Sequence, residues 1–484
     1  IISAPTVFGL FFSGGCSILP FLAFLCFLDT EKLLDLLREG NIKELKYEVN
    51  ELNSYDAAEF FELLPDDKKL IVFRLLTKDN AAEAFSYMDY DLQEHLIRSI
   101  SDNEIRNIVD EMFIDDTVDF LSELPANLVT KVLRNADESK RALINQFLNY
   151  PDNSAGSIMT IEFVQFHEDM TVKRAMEQLR ATGVDKETIY NCYVVNSKRV
   201  LMGILPLRTL ILAKDDEVVK NLMEDRVIYV KTLDDQEEVA EIFKNYNFIS
   251  LPVVDNEGMF VGIITIDDAI DVLTDESTED MQKMAAILPA DEATTYFGTS
   301  VWTHAKQRIP WLLILMLSAT FTGMVTTHYE EAFVSLPLLV SFMPMLMDTA
   351  GNCGNQISTL MVRGLALGEV EPSDFLKVLA KELRVSAIVG AVLGVVNGLR
   401  IYLMYTFIFA GQYDNVMGYA IVVSVSLFFS VILAKLVGGM LPLAAKKLGA
   451  DPAIMATPFI TTIVDACSLI LYFQIAQVVF RNMM

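Results

Sequence analysis

The sequence predicts a multidomain chain: an all-α superhelical N-domain, a tandem α/β pair and an α-helical five-span transmembrane bundle. Three observations carry this prediction. Five long apolar stretches follow Gln307, a strand–helix pattern repeats itself in the middle of the chain, and the charge is confined to the front. Of 38 basic and 65 acidic residues among 484, nine and ten lie beyond residue 309, leaving 29 against 55 before it. Such an acidic field repels nucleic acid and attracts cations, although an acidic surface also serves solubility alone. The five cysteines form no Cys-x-x-Cys pair, which argues against a zinc or disulfide framework and fits a reducing compartment.

Residues 1–28 contain a further uncharged apolar run, weakened as a span by Gly14, Gly15 and Pro20. An additional span, a signal-like segment and a stretch of foreign reading frame all fit it, so the fold argument starts at Asp29.

Residues 29–151 read as helix throughout. Apolar residues recur at three- and four-residue intervals, as in Leu33, Leu34, Leu37 and Leu70, Phe73, Leu76. The phrases ELLPDD at Glu62 and ELPANL at Glu123 end one short helix and begin another, since Pro suits a first helical turn. Short helices linked in this way predict a superhelical array.

From Asp152 the pattern alternates strands with helices, in two copies over residues 152–214 and 215–277. SIMT at Ser157 matches NLME at Asn221, and YVVNSKRVLMGILPLRTLI at Tyr193 matches PVVDNEGMFVGIITIDDAI at Pro252. Tandem copies of this kind pack as one pseudo-symmetric unit. The pair resembles CBS domains, a module that implies adenine-nucleotide binding, and GIITIDD carries the Gly-x-x-Thr-x-x-Asp pattern. The resemblance makes Thr265 a phosphate ligand and Asp268 a ribose ligand. GILPLRT in the first copy lacks both groups, and a pair with an empty site fits equally.

Residues 278–308 are expected to form a linker helix ahead of a pore domain over 309–484. The five spans are expected at 309–327, 334–362, 385–410, 416–443 and 452–480, each long enough for a hydrocarbon core of about 30 Å. Lys306 and Arg308 precede the first span, Arg363, Lys377, Lys381 and Arg384 flank the second connection, and Lys446 and Lys447 sit in the fourth. The first and third connections carry no Lys or Arg. This bias puts the N-terminal domains in the cytosol and the C-terminus outside a cell (inner) membrane.

Three groups of acids stand out in the soluble part: Asp115, Asp116 and Asp119; Asp234, Asp235, Glu237 and Glu238; and Asp267, Asp268, Asp271, Asp275, Glu276, Glu279 and Asp280. Asp268, Asp271 and Asp275 share one helical face, where like charges repel until a cation intervenes. Mg2+ takes a few carboxylates and keeps several waters, so acids facing one another across domain surfaces suit it. Solvated helix surface and N-terminal caps explain the same residues, Asp234 and Asp235 above all.

Within the spans, Asp465 lies near the middle of the last one with no basic residue beside it in sequence. An ionisable group at that depth costs about 2.5–3.5 kcal/mol on insertion scales and is a functional candidate by default. Thr461 is one turn earlier on the same face, and Pro458 frees backbone carbonyls nearby. The second span holds PMLMDTAGNCGNQIST, in which Gly351 and Gly354 permit close backbone approach. Asn352 and Asn355 there supply amide oxygens that a hard cation accepts. Polar contacts between helices account for the same residues without an ion.

PMLMDTAGNCGNQIST, LVGGMLP and DPAIMATPFITTIVD, in this order behind a helical domain and a CBS pair, resemble the signature blocks of the MgtE-type magnesium transporters. The resemblance runs from Asp29 to the end. It implies a homodimer in the lipid bilayer, a magnesium channel rather than an enzyme, with Asp465 as selectivity carboxylate and Thr461 contributing a main-chain oxygen. It further implies sensor acids for cytosolic Mg2+ at Asp115, Asp119, Asp235, Glu237, Asp268, Asp271, Glu276, Glu279 and Asp280, with ATP raising Mg2+ sensitivity. Asn247 stands where some members carry Asp, and Ser468 replaces a Gly. Rival readings are another divalent cation, an anion channel, which Asp465 opposes, and a metalloprotease, for which His167-Glu168 lacks the second His of His-Glu-x-x-His.

Overall fold

In the computed structural model, residues 30–147 form ten short helices: α1 (residues 30–39), α2 (Ile42–Glu51), α3 (Ser54–Glu62), α4 (Asp66–Phe73), α5 (Lys78–Ser86), α6 (Tyr90–Ser99), α7 (Asp102–Glu111), α8 (Ile114–Glu123), α9 (Ala126–Asn135) and α10 (Glu138–Phe147). The side chains of Asn53, Thr77 and Ser101 accept hydrogen bonds from backbone N–H groups of the first turn. At Ser101 the cap is reciprocal, because Glu104 reaches back to the Ser101 N–H at 2.7 Å. The two Leu-Pro phrases start helices as expected, with Pro65 and Pro125 at the N-cap position. Edge-to-face rings run through α3, α4, α5 and α8, Phe61–Phe73–Phe85–Phe120, with centroids 6.0, 6.4 and 5.0 Å apart. That continuous apolar spine is what stacks the helices into an array.

Described residues are 30–289, 296, 299–329, 336–409, 415–454 and 457–480, and they divide into two units between Leu273 and Thr274. The apolar run within residues 1–28 lies outside them.

The tandem pair completes the first unit. Copy one has β1 (Phe163–His167), α11 (Val172–Thr182), β2 (Thr188–Val195), β3 (Leu201–Pro206) and α12 (Leu207–Leu212). Copy two has β4 (Val230–Lys231), α13 (Gln236–Tyr246), β5 (Ser250–Val254), β6 (Phe260–Thr265) and α14 (Ile266–Met284). In each sheet the first strand runs parallel to the second and the second antiparallel to the third. The copies interlock, since Thr160 bridges to Ile263 and Glu224 bridges to Ile204. Two matched glycines make this possible. A Cβ on Gly203 would stand 2.8 Å from the Glu224 carbonyl oxygen, and one on Gly262 would stand 2.8 Å from that of Thr160. Gly262→Val is therefore expected to destabilise the pair by about 2–3 kcal/mol, read as a lower thermal midpoint; an unchanged midpoint would contradict the interlock. Phe163, Tyr193 and Phe260 fill the seam between the copies, with Phe163 and Phe260 centroids 4.4 Å apart.

The expected linker helix over 278–308 takes a different form. Helix α14, the last of copy two, continues to Met284 and stops where Ala286 adopts φ +56° and Ile287 N–H bonds to the Gln282 carbonyl at 2.9 Å. A left-handed residue past the last turn ends a helix by satisfying its free carbonyls. The next helix, α15 (Val301–His328), starts afresh on a Ser300 cap.

With α15, the second unit contains α16 (Leu338–Ala366), α17 (Phe375–Leu403), α18 (Val416–Lys447) and α19 (Thr457–Val479). Among the described residues four segments are long and apolar enough to cross a membrane: Val301–His328, Pro372–Ile408, Val416–Lys447 and Phe459–Val479. Helix α16 spans 29 residues, but Asp348, Asn352, Asn355 and Gln356 make it more polar than these four. Gly438 of α18 lies against the Gly354 carbonyl of α16 so closely that any side chain would overlap it.

Candidate functional sites

The first candidate site is an acid cluster assembled from three parts of the first unit. Helix α8 contributes Asp115 and Asp116 from its first turn, and α14 contributes Asp267 and Asp268 from its own. The third part is Glu187, just before β2. Thr265 holds Asp268 in place, its hydroxyl donating to Asp268 Oδ2 at 2.8 Å. Glu162 belongs to the rim, accepting from the Thr160 hydroxyl at 2.6 Å.

Like charges buried together disfavour ionisation. Burial, then the charge of Asp268, raises the Asp115 carboxyl well above the usual range. Burial and Asp267 raise Asp268 too, against the hydrogen bonds from Thr265. Asp116 is pushed up to about 6 by burial, then by Asp119, Asp267 and Glu162, with Lys140 opposing. Glu187 reaches about 8 through burial and the charges of Asp267, Asp116, Asp268 and Glu162. The Lys140 ammonium spends its hydrogen bonds on the carbonyls of Asp110 and Met112. All the donors are oxygen, the set that a hard divalent cation takes. Among the described residues no three acids close on a common point as a metal cage would require.

Of the sequence-predicted sensor acids, Asp115 and Asp268 meet here, Asp119 acts on Asp116, and Asp271 is exposed on α14, within electrostatic reach of Asp267. Asp235 is a helix cap, accepting from Glu237 N–H at 2.9 Å, as its position before α13 allowed. Glu279 and Asp280 belong to the second unit, where Lys283 pairs with Glu279 and with Asp451, both at 2.8 Å, and Asp280 lies near Asp451. Glu276 sits on the same helix. Sequence reading missed Glu162 and Glu187. The tandem alignment sets Glu162 opposite Arg226, a charge reversal between copies that could have flagged it. Glu187 has no local signal.

The second candidate site is the contact of α16 with α19. Gly351 admits Thr461, whose Cγ2 would be 3.4 Å from a Cβ there, and Gly354 admits Ile460. The chosen glycines thus do permit close approach. Asp465 is partly exposed, one turn beyond Thr461, and Asp348 of α16 is near enough to act on it electrostatically. Asn352 is exposed, and Asn355 Oδ1 is buried without a hydrogen-bond partner among the described residues. No ion pair joins Asp465 to Lys435 among the described residues, although Lys435 is 94% buried. The side chain of Pro458 lies outside the described residues. Arg400 is exposed and donates to Asn397 Oδ1 at 2.8 and 3.2 Å.

Comparison with known proteins agrees with this layout. A family model described as divalent cation transporter matches residues 343–475, an MgtE intracellular N-domain model matches 52–153, and CBS models match 155–216 and 219–275. The chain is 34% identical over 450 residues to the magnesium transporter MgtE of Thermus thermophilus, covering 92% of this chain and 97% of that one. It is 32% identical over 445 residues to MgtE of Bacillus subtilis, covering 92% and 96%. A crystal structure of the soluble part of a magnesium transporter, 31% identical, covers 52% of this chain and 99% of its own with a TM-score of 0.50.

Proposed function

The chain belongs to the MgtE family of magnesium transporters, and from that premise we propose that it is a Mg2+-selective channel closed by the cytosolic Mg2+ it admits. The observation that carries the proposal is the acid cluster. Five carboxylates from α8, α14 and the approach to β2 lie within electrostatic reach of one another, with Lys140 turned toward backbone carbonyls. Held together without a cation they repel; with Mg2+ and its waters between them they attract. Closure is then a population shift whose size equals the difference in Mg2+ affinity between packed and separated states.

The pore in this reading is a five-span bundle, with α16 crossing the membrane despite its polarity because it faces the ion path. Asp465 selects the ion, with Thr461, Asn352 and Asn355 holding its waters. Two copies of the chain share the path, with the soluble unit in the cytosol and the C-terminus outside. ATP on the tandem pair, through Thr265 and Asp268, tunes the Mg2+ response. Because Asp268 serves both the nucleotide pattern and the acid cluster, the two ligands meet at one side chain.

Replacing Asp268, Asp271 and Glu276 together with Ala is expected to leave the channel open at millimolar Mg2+. Patch recordings over a Mg2+ series check this, and closure at the wild-type concentration would refute Mg2+ gating through these acids. Uptake competition among Mg2+, Mn2+ and Ca2+ in liposomes tests selectivity, since all three accept oxygen ligands.

A further inference from the structure

Helices α17 and α18 leave a groove of about 670 Å³ between them in the second unit. It forms because α17 presents small residues where α18 presents large ones. Gly390 and Gly394 bring the helices so close that an added Cβ would stand 3.0 and 3.1 Å from the Phe428 and Ser424 carbonyl oxygens. Ala391 and Gly398 continue that small surface, and Ile421, Val425 and Phe429 of α18 wall it. Ala391, Ile421, Val425 and Phe429 are exposed, so the groove opens away from the bundle. Its size falls in the range of small-molecule sites, about 300–1,000 Å³.

Charge marks one end of it. Lys377, Arg384, Ala391 and Gly398 follow one another at intervals of seven residues on α17. Seven residues make two turns, so both cations share the face that carries the groove. Lys381 lies one turn from each of them. All three cations are exposed. Lys377 pairs with Asp374 at 2.7 Å, while Lys381 has no ion-pair partner among the described residues. Arg384 spends only its Nε, on the Ala380 carbonyl at 3.0 Å. Glu382 is buried, and its place in the helix puts it on the opposite face. From Arg384 to Val395 the helix rises about 16 Å, close to half of a hydrocarbon core of about 30 Å. Ile388, Val392 and Val395 are large exposed apolar side chains along that length, as a surface facing lipid requires.

We propose that the groove holds an acyl chain of an anionic phospholipid whose phosphate rests on Lys381 and Arg384. The apolar walls take the chain, and the two cations above the end of the groove prefer a negative headgroup to a neutral one. The proposal rests on the membrane placement of the second unit and does not depend on the magnesium reading.

Native mass spectrometry of the full chain in detergent tests it, with phosphatidylglycerol and phosphatidylcholine of the same acyl chains supplied in equal amounts. Phosphatidylglycerol is expected to be retained on the order of ten-fold more strongly. Lys381→Gln together with Arg384→Gln is expected to abolish that preference. Lys446→Gln together with Lys447→Gln removes the same charge elsewhere in the unit and is expected to keep it. Ala391→Phe fills the groove and is expected to lower retention of both lipids. Equal retention of the two lipids by the unaltered chain overturns the proposal. An unchanged preference without Lys381 and Arg384, or an equal loss without Lys446 and Lys447, overturns it as well. So does lipid retention that Ala391→Phe leaves unchanged, and a dimer lost in that variant overturns it by assigning the groove to a second copy of the chain.

Discussion

Asp465→Asn is expected to cut Mg2+-selective current by about a hundred-fold or more, with the fold intact. Asn has the same shape and keeps an oxygen for water, so only the charge is removed. Two unit charges 4 Å apart interact by about 4 kcal/mol at an effective dielectric of 20, and a divalent ion doubles that. Asp348 on the neighbouring helix adds to the same field, so Asp348→Asn should act in the same direction by a smaller amount. Asp465→Glu keeps the charge and should retain part of the current. Recordings under Mg2+ against monovalent ions check all three; an Asn variant that still passes Mg2+ selectively removes Asp465 from the selectivity role.

The second large effect concerns protons and Mg2+ at the acid cluster. Asp116 at about 6 and Glu187 at about 8 have pKa values above those of an unfolded chain, near 4. A group raised on folding contributes stability that is fully present below its unfolded pKa and lost as pH rises through its folded pKa. Metal-free protein is therefore expected to lose on the order of a few kcal/mol between pH 5 and pH 9, with Asp115 and Asp268 shifting the same way. Glu104 does not confuse the test, because Arg74 beside it holds its carboxyl near 2, so that its contribution is lost only in acid below this window. Saturating Mg2+ should flatten the profile, since the cation replaces the protons. Glu187→Gln should stabilise the metal-free protein at pH 8 and reduce the gain from Mg2+. Thermal unfolding with chelator and with Mg2+ across that range measures both, and a metal-free profile that rises with pH would refute the cluster as a cation sensor.

Much of this architecture was legible because its signals are local. The matched phrases at Tyr193 and Pro252 became matching sheets, since side-chain alternation and a glycine at a fixed offset depend only on nearby residues. Gly351 and Gly354 were expected to permit close backbone approach, and both pack on the last helix. The linker was less legible, because a helix stop at Ala286 depends on one residue adopting φ +56°, with no Gly there to announce it. Asp235 illustrates a different limit. An acid before a helix serves a cap and a cation equally well on paper, and one oxygen of Asp235 caps α13.

The amino-acid order alone determined which segments are helical, which repeat, which are apolar enough for lipid, and where acid accumulates. Tertiary structure alone decided which acids confront one another. Asp115, Glu187 and Asp268 are far apart in the chain and are brought together by chain crossings between α8, β2 and α14. Periodicity reports which way a side chain faces its own element, but electrostatic repulsion acts through space, between faces that only folding sets opposite each other.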